Sequence, residues 1–405
     1  MSALRFGYVT GPLLGALWML VLAATVAVAM SFTTGDPFRP VLWLSLLWGA
    51  IIGFAVVHAV VDRRVAAGLV AAGFVVIGFA GIAPVAVGET TSAPSSVVAW
   101  AGLGGLAFWT LSTIMRDCPS GPLTRHEFEA AVIRFLTGFG YIFFTAIVLI
   151  PFFVMVMTSL KNQSELIQNP LDFSLDLSKG FDLFRSYSEL FADFNFGSYL
   201  WTSFYISVLT VLITLLFAIP GAYAVARLRF RGSAAFSRSI LLIYMVPMIV
   251  LALPIYIAFS MAGLRNSILG IVLIYPVTTI PVALYMLQGY FRGLPSEVEE
   301  AGLMDGLSRL AVIWKITLPL SLPAMASVSL YVFMIAWNEF LLAFMLLDDP
   351  SKFTLTRGIA SLDSSEIPRQ HLMAGSVIAT VPIMALFLGL ERFMTKGLTA
   401  GSVKG

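Results

Sequence analysis

Runs of roughly twenty apolar residues recur along this chain and constrain its fold more than any other feature. A helix needs about 20 mainly apolar residues to cross the hydrocarbon core of a bilayer. By this measure we predict an all-α polytopic membrane protein with about ten transmembrane helices. The predicted spans lie near residues 8–30, 40–60, 65–87, 97–115, 137–160, 199–226, 239–262, 267–290, 321–347 and 371–392.

The composition excludes the main soluble classes. Hydrophobic residues make up 59% of the chain and charged residues 11%, against about 45–50% and about 25% in soluble domains. The net charge of +2 gives no basic excess that would indicate a nucleic-acid partner. The lone Cys118 can form no internal disulfide.

The positive charges orient the spans. Sixteen of the 24 Lys and Arg residues fall in alternate connections, on the side that also holds the N-terminus. Because Lys and Arg favour cytoplasmic connections, both termini are predicted to be cytoplasmic. The strongest single anchor is the basic segment 227–231.

A polar segment after the fourth span divides the chain. We predict an extra N-terminal membrane block of about four spans at 1–116, a cytoplasmic linker at 117–136 and a core at 137–405. Gly7, Gly11 and Gly15 in the first span form small-xxx-small patterns that let another helix approach closely. Small residues are also common in membrane helices without such a role.

The connection 291–320, between the eighth and ninth spans, carries strong helix signals. Ser296 and Glu299 are spaced as a capping box that starts a helix. Gly306 is predicted to end that helix, and Ser308 to cap a second one. A cytoplasmic helix–glycine turn–helix suits docking into a groove of a soluble partner, or an amphipathic helix lying on the lipid interface.

This connection resembles the EAA loop of binding-protein-dependent ABC importer permeases. The residues that carry the resemblance are Glu300, Ala301, Gly302, Gly306, Ile316, Leu318 and Pro319. Gly302 departs from the family pattern, which has a second alanine there. The resemblance covers about 137–405 and is strongest to MalG-type permeases of the carbohydrate branch. It implies a six-helix type I permease core, here preceded by about four extra N-terminal spans.

The resemblance implies a translocation subunit of an ATP-driven sugar importer in a bacterial or archaeal cytoplasmic membrane. The implied partners are a cytosolic ABC ATPase dimer, a second, MalF-type permease, an extracytoplasmic sugar-binding protein and the lipid bilayer. ATP and magnesium would bind the partner ATPase, with no cofactor and no enzyme activity on this chain. The sequence agrees, since it has no Gly-Lys dipeptide and hence no Walker A loop. A maltose- or trehalose-like oligosaccharide is the favoured substrate.

The resemblance also assigns roles within the loop. Glu300 would lie at the centre of the contact with the ATPase, Ala301 and Gly302 would allow close approach, and Gly306 would set the turn. Asp305 would either join this contact or cap the next helix.

On the outer side, MalG-type subunits touch the sugar-binding protein through the loop 348–370. The candidate contact residues are Asp348, Asp349, Lys352, Arg357 and Asp363. The residues alone would favour an ordinary solvated loop.

Asn338 and Glu339 are the most pointed polar feature inside a predicted span. A carboxylate in a span is costly, so Glu339 is predicted either to face the pathway or the permease interface, or to make a structural hydrogen bond between helices. Trp337, Tyr244 and Tyr256 are aromatic candidates for stacking on a sugar.

Two other classes compete with the importer. An ion-coupled secondary transporter would need several embedded ionisable residues, and the span interiors offer little besides Glu339. A membrane-bound enzyme is disfavoured because three scattered histidines make no metal triad and no Gly-x-Ser-x-Gly motif occurs.

Overall fold

The computed structural model describes residues 5–58, 62–89, 91–168, 174–175, 177–240, 242, 246–364 and 367–399. In the described residues the longer helices are α1 (Gly7–Thr34), α2 (Leu42–His58), α3 (Arg63–Phe79), α4 (Ala93–Ile114), α5 (Arg125–Ser159), α8 (Phe196–Arg227), α10 (Met248–Met261), α11 (Ile268–Gly293), α15 (Leu322–Asn338) and α18 (Arg369–Thr399). The shorter ones are α6 (Gln163–Gln168), α7 (Arg185–Asp193), α9 (Ser233–Ser239), α12 (Ser296–Met304), α13 (Arg309–Val312), α14 (Leu318–Leu320), α16 (Leu341–Leu346) and α17 (Leu355–Ser361).

The helical class is confirmed, and a helix lies at each of the ten predicted spans. Among the described residues, six helices are long and apolar enough to cross a membrane: α1, α4, α5, α8, α11 and residues 369–389 of α18. The bent pair Arg309–Leu320 and Leu322–Asn338 makes seven if it is one span, while α2 and α10 are shorter apolar helices. The count of ten therefore stays a prediction.

The chain forms two compact units, Met1–Leu183 and Phe184–Gly405. This division falls after the predicted domain boundary. The helix α5 begins at Arg125, inside the predicted linker, where Thr124 and Glu127 form a capping box. The assignment of 1–116 as a separate block stays a prediction.

Close packing of α1 on α2 organises the N-terminal unit. A Cβ atom built on Gly15 would lie 2.2 Å from the Gly49 carbonyl oxygen, and one on Gly53 would lie 2.0 Å from that of Gly11. Of the two interpretations left open for these glycines, the close approach of another helix is observed at Gly11 and Gly15, and α2 is that helix. Gly7 instead lies against Pro119 in the polar segment.

A small two-stranded antiparallel sheet, not predicted from the sequence, also belongs to this unit. The strand β1 (Phe38–Pro40) pairs with β2 (Val85–Val87), with Phe38 opposite Val87. The indole of Trp100 donates to the Val85 carbonyl at 3.0 Å and joins the sheet to α4.

The second unit is built around α8 and α11, and α15 packs against both helices. One part of its core includes Ile206, Ile271 and Tyr275. A second part, nearer the loop 291–320, includes Ala222, Leu287 and Val332. This unit holds the loop 291–320 and the loop 348–370, which we call the outer loop after its predicted side of the membrane.

Candidate coupling and translocation sites

The loop 291–320 has the predicted order of helix, glycine turn and helix. The helix α12 begins at Ser296 and ends before Gly306, whose φ of +85° lies in the left-handed region that glycine favours. The Ser308 hydroxyl accepts a hydrogen bond from the Ala311 amide at 3.2 Å and caps α13. The roles of Gly306 and Ser308 in shaping the loop are therefore confirmed.

The predicted capping box between Ser296 and Glu299 is wrong. No side chain caps α12, and Pro295 occupies its N-cap position. The Glu299 carboxylate instead turns inward, where it accepts from Arg227 Nε at 3.3 Å and from Thr317 Oγ1 at 3.0 Å. A partly buried guanidinium offers a stronger partner than a solvated backbone amide.

Sequence reasoning missed this role of Glu299. It is buried, and it also accepts a hydrogen bond from the Tyr223 hydroxyl at 3.3 Å. The available signal was an acidic residue directly before the motif and an arginine at the end of α8, about seventy residues earlier, and only the tertiary fold pairs them.

The motif residues divide between two faces of the loop. Glu300 and Ala301 are exposed, whereas Gly302 is buried. A Cβ atom built on Gly302 would lie 2.5 Å from Cδ1 of Ile316. Because Gly302 has no side chain, Ile316 can pack directly against its backbone. Gly302 therefore shapes the loop itself. Leu318 is half-buried and Pro319 is exposed beside this contact.

For Asp305 the sequence left two roles open: contact with the ATPase, or capping of the helix that follows. The structure places it, exposed, at the C-terminal end of α12, and the next helix is capped by Ser308. The alternative in which Asp305 caps that helix is not observed.

The same loop also exposes five large apolar side chains, which we name the docking surface after the role proposed for them below. It consists of the exposed side chains of Val298, Leu303, Met304, Leu310 and Trp314. Met304 is 88% exposed and Trp314 67%. Five large apolar side chains exposed on one short loop make it a candidate contact surface.

After α13 the chain enters α15 through a sharp bend. Ile313–Thr317 form a single turn of π-helix, called the π-turn below. The helical segments Arg309–Leu320 and Leu322–Asn338 meet at a bend of 75°. Ser321 lies at the bend, where its hydroxyl donates to the Thr317 carbonyl at 2.6 Å. Single π-turns frequently mark functional positions in helices.

Glu339 breaks the predicted ninth span into α15 and α16. Its two carboxylate oxygens accept from the backbone amides of Leu342, at 2.8 Å, and Ala343, at 3.1 Å. Of the two roles left open for Glu339, this geometry favours the structural one, because both carboxylate oxygens cap the helix that follows.

Replacing Glu339 by alanine should destabilise the second unit, because two amides at the start of α16 lose their acceptor. An unsatisfied buried group costs about 1–3 kcal/mol. We expect a lower melting temperature in detergent, measured by near-ultraviolet circular dichroism. Asn338→Ala, at the exposed neighbour whose amide donates to the Met334 carbonyl, should change it little. Equal melting of the wild type and Glu339→Ala would contradict the cap.

The aromatic candidates make contacts within this chain. Trp337 is buried, stacks on Phe333 and donates to the Ala379 carbonyl at 3.1 Å. Tyr256 has the Arg265 guanidinium 4.9 Å from its ring centre. These contacts do not favour stacking on a sugar. Tyr244 lies outside the described residues.

The outer loop is tied to the α10–α11 connection. Asp348 pairs with Arg265 at 2.7 Å, and Lys352 Nζ donates to the Asn266 carbonyl at 3.0 Å. The amides of Asp348 and Asp349 both donate to Asn266 Oδ1, at 3.2 and 3.1 Å. The described start of this loop, 348–352, is thus held against the α10–α11 connection by side-chain and backbone contacts.

The other candidate contact residues of the outer loop differ in their partners and exposure. Hydrogen bonds from Ser351 hold the pKa of Asp349 below its usual value, with a smaller contribution from Lys352. The Arg357 guanidinium lies over the rings of Phe344 and Phe353, at 4.7 and 4.3 Å. Asp363 is exposed. Of the five candidates, Asp348 and Asp363 present the most accessible carboxylates.

Comparison with known proteins identifies a family. The family described as "Binding-protein-dependent transport system inner membrane component" matches residues 215–399. The inner membrane ABC transporter permease protein YcjP of Escherichia coli is 37% identical over 270 residues, which are 66% of this chain and 95% of that protein. The trehalose/maltose transport system permease protein MalG of Thermococcus litoralis is 33% identical over 282 residues, 68% of this chain and 99% of that protein.

The fold has a solved counterpart. A chain of a bacterial ABC transporter involved in the import of the acidic polysaccharide alginate matches with a TM-score of 0.57 and 22% identity, over 66% of this chain and 98% of that one. At this identity the likeness concerns the fold alone. Taken with the sequence matches and the helix–turn–helix geometry of the loop, it shows that this chain belongs to the family of binding-protein-dependent transport system inner membrane components.

Proposed function

We propose that this chain is a translocation subunit of an ATP-driven sugar importer, and that it couples to a separate cytosolic ATPase through the loop 291–320. The observation that carries the proposal is the exposed face of this loop. Glu300 and Ala301 are exposed on α12, and the same loop exposes the five apolar side chains of the docking surface. A short helix with exposed apolar side chains suits a groove on a soluble partner.

The charge of α12 favours a protein partner over the lipid interface. Its exposed ionisable residues are Glu297 and Glu300, and Asp305 follows at its end. Helices that lie on membranes are typically rich in Lys and Arg on their polar face, because lipid headgroups are often anionic. An acidic helix is better suited to basic residues in a protein groove.

The proposed assembly follows from this role. The ATPase, present as a dimer with its ATP and magnesium, would bind on the cytoplasmic side, where both termini lie. A second, MalF-type permease would complete the pathway, and a sugar-binding protein would contact the outer loop. The four helices at 1–116 would be extra spans outside the six-helix core.

The substrate is proposed to be a maltose- or trehalose-like oligosaccharide. The support is the similarity to a permease whose name assigns it to trehalose and maltose transport. An ion-coupled transporter has less support, because the main candidate for an ion carrier, Glu339, uses both carboxylate oxygens to cap α16.

The proposal is tested by purifying the chain with its partners from native membranes and reconstituting the complex in liposomes. We expect a co-purified ATPase, and uptake of labelled maltose or trehalose only when ATP is enclosed on the ATPase side. Glu300→Lys should remove the ATPase, whereas Asp363→Lys, at an exposed carboxylate of the outer loop, should retain it. A chain that purifies without an ATPase and transports with an ion gradient would overturn the proposal.

A further inference from the structure

A buried polar cluster joins the loop 291–320, here called the coupling loop, to the ends of the three helices α8, α11 and α15. We define this hub as Tyr223, Arg227, Glu299 and Thr317. The Glu299 carboxylate accepts hydrogen bonds from the other three side chains, at 3.3 Å from Tyr223, 3.3 Å from Arg227 and 3.0 Å from Thr317. Each member comes from a different part of the chain or from a different turn of α8, so the carboxylate is the point at which they meet.

Burial makes the hub rigid. Tyr223, Glu299 and Thr317 are buried, and the side chains of Arg227 and Glu299 are only 14% and 11% exposed. A charge-assisted hydrogen bond that is shielded from water is stronger than one on the surface. Removing one partner of such a pair leaves an uncompensated charge, so the loop cannot leave α8 without a large cost.

The hub reaches three membrane-directed helices at once. Arg227 ends α8 and also donates from its second terminal nitrogen to the Leu294 carbonyl, just after α11, at 2.8 Å. Thr317 lies in the π-turn that precedes the 75° bend into α15. A displacement of α12 is therefore shared with the inner ends of α8, α11 and α15.

The hub does not belong to the docking surface. Glu299 points inward from α12, while Glu300, the next residue, points to solvent. One side of the helix is thus available to a partner, and the adjacent residue fixes the other side to the chain.

We infer that Glu299 is a positioning residue of transport: it makes α12 and the inner end of α8 move as one body, so that movement imposed on the docking surface reaches the membrane helices. This inference rests on the proposed function. Loss of the hub should uncouple ATP hydrolysis from sugar transport. ATPase binding and ATP hydrolysis should stay intact, while the amount of sugar transported per ATP falls.

The test uses a double variant, Arg227→Met with Glu299→Met. Methionine has a similar volume and leaves no unpaired buried charge, so the chain is expected to fold and to bind the ATPase. In reconstituted complexes we expect maltose or trehalose uptake per ATP hydrolysed to fall at least tenfold. The matched control, Arg125→Met with Glu129→Met, removes an exposed Arg–Glu pair of α5 and should retain the wild-type ratio.

Two results would overturn the inference. One is a double variant with the wild-type ratio of uptake to hydrolysis. The other is a fall in uptake that is fully explained by lost ATPase binding, since a merely structural role predicts that loss. The single variant Glu299→Gln, which leaves Arg227 without its charge partner, should lower the melting temperature more than the double variant does.

A measurement on the chain alone separates this inference from the proposed function. After Cys118→Ser, spin labels are placed at the exposed positions 297 on α12 and 229 just beyond α8. The full chain in nanodiscs should give one narrow distance distribution, which broadens in the double variant. An unchanged distribution overturns the inference even if neither sugar is transported, whereas absent transport with a broadened distribution counts against the proposed function alone.

Discussion

Replacing Met304 and Trp314 together by glutamate should abolish ATP-driven uptake and remove the ATPase from the purified complex. Both side chains are largely exposed and belong to the apolar docking surface. Fully burying a large apolar side chain contributes about 1.5–3 kcal/mol, so losing two should weaken association at least roughly a hundredfold. The measurement is the amount of ATPase recovered with the chain in mild detergent.

The variant chain itself should fold normally. Substitutions of exposed residues usually change the free energy of unfolding by no more than about 0.5 kcal/mol. Phe181→Glu is the matched control, since Phe181 is 95% exposed and lies outside the coupling loop. Recovery of the ATPase with the double glutamate variant, at the wild-type level, would show that the partner docks elsewhere.

A single methyl group at Gly53 should strongly destabilise the N-terminal unit. The Cβ atom of Gly53→Ala would lie 2.0 Å from the Gly11 carbonyl oxygen. A backbone oxygen cannot rotate away as a side chain can, so α1 and α2 must separate along their contact. Overpacking of this kind costs about 1–3 kcal/mol and occasionally more. The checks are thermal unfolding and limited proteolysis of the full chain in detergent.

Gly73→Ala provides the control for this prediction. Gly73 lies in α3 of the same unit, and a Cβ atom there would meet nothing within 4 Å. Alanine is the better helix former by up to about 1 kcal/mol, so this variant should be neutral or slightly more stable. If Gly53→Ala and Gly73→Ala melted at the same temperature, the glycine contact between α1 and α2 would not be as close as described.

The local features of the coupling loop were predictable from the sequence, and its tertiary contacts were not. Gly306 and Ser308 act on their own neighbours, so spacing along the chain was sufficient to assign them. The spacing of Ser296 and Glu299 pointed equally well to a local capping box. It failed because Arg227, distant in sequence, competes for the same carboxylate. Only the fold reveals such a competitor.

The candidate pathway residues illustrate a second limit. Hydropathy located the ninth span and drew attention to Glu339, but a carboxylate inside an apolar run has the same sequence signature whether it lines a path or caps a helix. The distances to Leu342 and Ala343 distinguish the two roles. In the same way, an exposed Trp314 and a buried Trp337 cannot be told apart by residue type.

The cap at Glu339 also bears on how this segment enters the membrane during synthesis. Its two partners lie only three and four residues further along the chain. The carboxylate is therefore satisfied as soon as α16 forms, before any other helix has packed against it. This local cap lowers the cost of placing the Glu339 carboxylate within an apolar stretch before a partner from a distant part of the chain is in place.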